Sequence, residues 1–103
     1  MAKIEVLSKG DTAVEELQAF TAFSLEDYLA GASKHWTFWD SPVARFPWTY
    51  SKVEYAYILK GKFIVTYEGA EPVELKAGDF VKFPLGETRF DVLEPVRKFF
   101  TLV

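Results

Sequence analysis

From His35 onward the sequence is a series of short runs rich in Val, Ile, Tyr, Phe and Trp, divided by Gly, Pro and Asp. HWTFWDS, ARFPWTYS, VEYAYILKG and KFIVTYEG are followed by EPVELKAGD, FVKFPLG, ETRFDVLEP and VRKFFTLV. β-Branched and aromatic side chains suit a pleated, half-buried surface, and breaks at about 8–12-residue spacing predict an all-β sandwich or barrel. In KFIVTYE, Phe63, Val65 and Tyr67 fall on one face and Ile64, Thr66 and Glu68 on the other, which gives a strand with a largely apolar side. The EGAE and AGD segments carry tight-turn chemistry.

The first third reads differently. IEVL, residues 4–7, suits a short strand. Thr12 and Glu15 form a capping box, and Val14, Leu17 and Phe20 at three-residue spacing predict a helix over 13–20. A second box runs from Ser24 to Asp27, and Gly31 stands where a helix C′ glycine belongs. The chain therefore divides into an N-terminal strand and helical appendage, 1–34, and a barrel, 35–103, within a single domain, since 103 residues leave no room for a second core.

Composition narrows the function classes. The absence of cysteine excludes disulfides, thiolate metal sites and Cys nucleophiles. Twelve basic against fifteen acidic residues, with no basic cluster larger than Arg97–Lys98, argue against a nucleic-acid-binding surface. No apolar run approaches the ~20 residues of a membrane span, and MAKIEVLSKG lacks the h-region of a signal peptide. The expectation is a soluble, cytoplasmic protein with no membrane partner. Ten Phe, five Tyr and three Trp exceed what one small core readily absorbs, so some rings should line a pocket or a subunit interface.

Two spacings carry a more specific reading. Glu54-x6-Gly61 is the first, with YILKG leading into the glycine; Gly78-x5-Pro84-x-Gly86, written GDFVKFPLG, is the second. Together they resemble the two signature motifs of the cupin superfamily, small antiparallel jelly-roll barrels. Within it the chain is similar to the small single-domain family that includes ureidoglycine aminohydrolase and ethanolamine-utilisation cupin domains, through E-x-x-Y-I-L-x-G, A-G-D-x-V-x-F-P-x-G and E-P-V-R-K. The resemblance spans residues 36 to 103 and implies a small antiparallel jelly-roll barrel with a short helical N-terminal segment. The glycines and Pro84 also have a purely structural reading, as turn and rim residues of a barrel.

The resemblance also implies where a metal would be held. The cupin pattern places two histidines three or four positions before the glutamate, which here are Trp48 and Tyr50, or Pro47 and Thr49; the third belongs at Arg89. Glu54 alone survives. One carboxylate among an indole, a phenol and a guanidinium is a poor donor set for a transition metal, and His35, the single histidine, precedes the strands that would need it. Glu87 or Asp91 joining Glu54 is disfavoured by strand alternation. The expectation is a site with no metal and no cofactor. A buried Glu54 then needs a proton or a cation, and Arg89, at the fourth ligand position, is the candidate partner.

The candidate ligand-binding residues are Trp48, Tyr50, Glu54, Tyr57 and Arg89, with Glu54 and Tyr50 as candidate catalytic groups. Packing of the core is the competing explanation for the aromatics. The functional alternatives are a metal-free cupin that binds a small polar or carboxylate-bearing metabolite, and a metal-free isomerase, lyase or hydrolase using Glu54 as acid–base. A homodimer is the expected use of the surplus rings, with WTFWD, residues 36–40, carrying rings on both faces, and a third alternative is an assembly protein acting through that interface. A metal-dependent enzyme is the least favoured.

Overall fold

A computed structural model describes residues 3–8 and 37–102. The helices expected over 13–20 and 24–31 lie outside the described residues, as do His35 and Trp36. The described residues form seven antiparallel strands: β1 (Glu5–Ser8), β2 (Thr37–Ser41), β3 (Ala44–Tyr50), β4 (Glu54–Tyr67), β5 (Val73–Lys76), β6 (Phe80–Phe83) and β7 (Gly86–Leu102). The described part is all-β, as the segment pattern predicts.

Two expected breaks are continuous instead. YILKG and KFIVTYE join into β4, and ETRFDVLEP and VRKFFTLV join into β7. These two long strands pair with each other along their whole length. Their first and second halves recruit different neighbours, which bends one sheet into two facing halves. The first half of β4 and the second half of β7 are flanked by β6 and β2, with β1 beyond β6. The other halves are flanked by β5 and β3.

The bend is made at Gly61. Its φ is +90°, and a Cβ there would lie 2.1 Å from the Pro95 carbonyl oxygen, so only glycine lets the two long strands cross at this point. The register advances five positions on β4, Ile58 to Phe63, against six on β7, Lys98 to Val92. As a result the inward face of β4 switches from Glu54, Ala56 and Ile58 to Phe63, Val65 and Tyr67, while that of β7 keeps one parity throughout. The AGD turn is fastened to the same place. Gly78 donates its N–H to the Ile58 carbonyl at 2.9 Å, and buried Asp79 accepts from the Lys76 N–H at 2.9 Å.

The inner faces enclose the main core, which includes Phe63, Val65, Val81, Phe83, Phe90 and Val92. A smaller cluster lies on the opposite side of the sheet, where Tyr57 and Phe38 pack against Phe80 and Phe99. The β2 rings divide as alternation requires: Phe38 lies against Phe99 at 5.2 Å and beneath the Arg97 guanidinium, while Trp39 turns inward towards Phe46 and Phe90.

Candidate functional site

One end of the barrel interior is a cavity of about 450 Å³. β2, β3 and β7 supply most of its wall, through Trp39, Phe46, Trp48, Tyr50, Phe90 and Phe100. Thr49, Ser51 and Lys52 lie on the β3 side of the opening. Trp48 is 53% exposed at the rim, in edge contact with Tyr50 at 6.5 Å. Tyr50 itself is buried, stacked on Phe83 at 5.2 Å and on Tyr67 at 6.4 Å. Thr88 fixes the β3 backbone there by donating to the Trp48 carbonyl at 2.7 Å.

Two opposite charges stand on the cavity wall. Lys98 Nζ donates to Glu54 Oε2 at 2.6 Å, with the two side chains only 5% and 4% exposed. Four aromatic rings surround the ammonium, with centroids at 4.8 Å (Trp39), 5.1 Å (Phe83), 5.3 Å (Phe100) and 5.5 Å (Phe90). Their negative faces attract a cation, while the loss of water disfavours it. Burial pushes the Lys98 amine down from its ordinary range, with Glu54 holding against it. Burial likewise pushes the Glu54 carboxyl up, opposed by Lys98 and more weakly by Tyr50.

The Tyr50 hydroxyl is also held up by burial first, then by the Glu54 charge. Although it senses that carboxylate, it completes no hydrogen bond of good geometry and is left buried without a partner. Tyr67, by contrast, donates to the Pro84 carbonyl at 2.8 Å.

Of the candidate residues, Trp48, Tyr50 and Glu54 come together in the cavity. Arg89 and Tyr57 do not. Arg89 alternates outward between buried Thr88 and Phe90 and is exposed, so it cannot reach Glu54; the cation that does is Lys98. A carry-over shifted by one residue sends a side chain to the wrong face, and the inward positions nearest Arg89 are Thr88 and Phe90. Tyr57 shares its parity with Tyr55 rather than Glu54, and lies in the cluster on the outer side. Lys98 was missed, although it alternates in phase with Val96 and Phe100 in a run that otherwise reads as strand. A lysine in such a run is ordinarily assigned to solvent, and only its parity marks it as inward.

A bent antiparallel sheet with the glutamate of the first motif turned into its interior defines a cupin. The chain belongs to the EutQ-like cupin domain family, whose family model matches residues 29–100. A DUF861-family protein from Thermotoga maritima is 35% identical, aligned over 100% of both chains with a TM-score of 0.73. A putative ethanolamine utilization protein Q from Salmonella typhimurium is 32% identical, over 73% of this chain and 61% of its own, with a TM-score of 0.60. The EutQ protein of Clostridium difficile shares the fold at 22% identity over 78% of this chain and 61% of its own, with a TM-score of 0.60. A comparison with curated proteins gave no match.

The residues at the cupin metal position do not fit a metal ion. Among the described residues no three His, Cys, Asp or Glu side chains converge. The one retained carboxylate is engaged by an ammonium group, and the neighbouring groups are a phenol, an indole and phenyl rings, none of them a favoured ligand for a transition metal.

Proposed function

We propose that this cupin binds a small molecule in the aromatic cavity, with a flat apolar body against the rings and one polar or carboxylate group towards Glu54, Lys98 and Tyr50. The observation that carries the reading is the buried Glu54–Lys98 pair on the wall of a cavity of about 450 Å³. A largely apolar cleft with a few convergent polar groups is the usual form of a small-molecule site. The unpartnered Tyr50 hydroxyl offers a further contact for a ligand acceptor. The name of the Salmonella relative refers to ethanolamine utilisation, which suits a role in handling small metabolites.

The test is NMR of the isotopically labelled chain, titrated with small aromatic and aliphatic carboxylates, aldehydes and alcohols. Perturbations should cluster at Tyr50, Phe90, Lys98 and Phe100. A panel that leaves these resonances in place, or moves only outer-face residues, overturns the reading.

Acid–base catalysis at Glu54 is a second reading. Burial raises the carboxyl and lowers the neighbouring amine, which brings their proton affinities closer together, the direction of tuning that acid–base chemistry uses. Turnover that disappears in a folded Glu54→Gln protein while binding persists would distinguish it from binding alone.

A further inference from the structure

We propose that Lys98 is a covalent carbonyl-binding residue, forming a protonated Schiff base with an aldehyde or ketone in the aromatic cavity, with Glu54 as its proton carrier and counter-ion. The inference rests on the cavity being a ligand site, and adds the chemical class of the ligand.

The geometry meets each requirement of imine formation. Lys98 lines the cavity, which gives a carbonyl compound that enters it a route to the amine. A carboxylate lies 2.6 Å from that nitrogen, within reach of every proton that must move. The walls are mostly apolar, which favours the neutral, nucleophilic amine. The four rings around Nζ bear on the end state. A protonated imine keeps its positive charge on the same nitrogen, so the box and Glu54 that hold the ammonium serve the iminium as well.

The step balances without an added reagent. Lys98 gives a proton to Glu54, and the freed nitrogen lone pair forms a bond to the carbonyl carbon as the C=O π pair moves to oxygen. That oxygen takes the proton from Glu54. Glu54 then removes a second proton from nitrogen and delivers it to the hydroxyl, which leaves as water while the nitrogen lone pair closes the C=N bond. Ammonium and carbonyl become iminium and water, and Glu54 ends ionised beside the cation. The apolar wall suits a carbonyl compound with a flat, unsaturated body. Thr49, Ser51 and Lys52 at the opening suit a polar tail.

The experiment incubates the full chain with benzaldehyde and sodium cyanoborohydride, then maps benzylated lysines by peptide mass spectrometry. Lys98 should be modified at least about tenfold faster than the exposed Lys52, Lys60 or Lys76, as expected of a desolvated amine beside a proton acceptor. In a folded Glu54→Gln protein the Lys98 adduct should form about a hundredfold more slowly, the loss expected on removing an acid–base group. Labelling confined to exposed lysines, with Lys98 untouched, overturns the proposal. Benzyl alcohol, which has the same ring and no carbonyl, separates the two readings by NMR. If it perturbs the cavity residues while benzaldehyde leaves no adduct on Lys98, only the covalent proposal fails. If neither compound reaches the cavity, the binding site fails with it.

Discussion

Lys98 reaches Glu54 diagonally across the two central strands. The register partner of Glu54 is Leu102, and Lys98 lies two same-face positions further along β7. Lys98→Ala leaves a carboxylate buried without its cation, and should cost about 3–5 kcal/mol in urea denaturation. Replacing both, Glu54→Leu with Lys98→Met, should restore most of that loss, because desolvating two charges offsets much of their attraction. Arg89→Leu, by contrast, alters an exposed side chain and should change stability by no more than about 0.5 kcal/mol.

The pair should also leave a signature in the pH dependence of stability. Burial holds the Glu54 carboxyl above its ordinary 4.5, so above that pH the folded chain binds more protons than the unfolded one. Its contribution therefore falls as pH rises from 4.5 towards its raised folded value. Lys98 is held below 10.5, binds fewer protons when folded, and contributes a rise with pH that is complete only near 10.5. Urea midpoints at stepped pH should show wild type losing stability relative to Glu54→Gln from about pH 4.5 upward. A difference that grows with pH in that window would mean that the Lys98 charge outweighs the loss of water.

Gly61 admits no side chain. Gly61→Ala must hold a positive φ and place a methyl 2.1 Å from the Pro95 oxygen. Loss of at least about 2 kcal/mol, read as a lower urea midpoint, is the expected result. A normal midpoint would mean that the two strands can move apart at the bend.

Tyr50→Phe removes a buried hydroxyl that has no partner while keeping the ring stacked on Phe83. It should raise stability by about 1 kcal/mol, since the desolvation penalty of the group disappears. Binding of carbonyl or carboxylate compounds should weaken in the same protein, as the hydroxyl is a contact offered to the ligand. Stability and binding moving in opposite directions would mark Tyr50 as a functional group; a stability loss would show that the hydroxyl is satisfied in the folded chain.

The strands were legible because their alternation survives locally. Phe63, Val65 and Tyr67 face inward as the sequence pattern requires. The two motifs likewise identified the cupin sheet and the inward Glu54. What could not be read was the behaviour of the bend. Gly61 and Pro95 look like strand ends, yet both lie within continuous strands, and the parity of β4 changes there while that of β7 does not. The partner of Glu54 depends on that long-range register. A motif position counted from Gly86 therefore selected Arg89, whereas the folded sheet selects Lys98.

β7 also imposes an order on assembly. It lies C-terminal to the other described strands, yet β2 and β3 have no other pairing partner among the described residues, and Glu54 receives its cation from it. While residues 86–102 are still unmade, a growing chain can join β5, β4, β6 and β1 but cannot close the cavity. Such late, long-range pairing slows folding. Shortened chains ending before β7 would expose apolar strands and an unneutralised carboxylate together, so the cavity and the solubility of the nascent chain depend on the same strand.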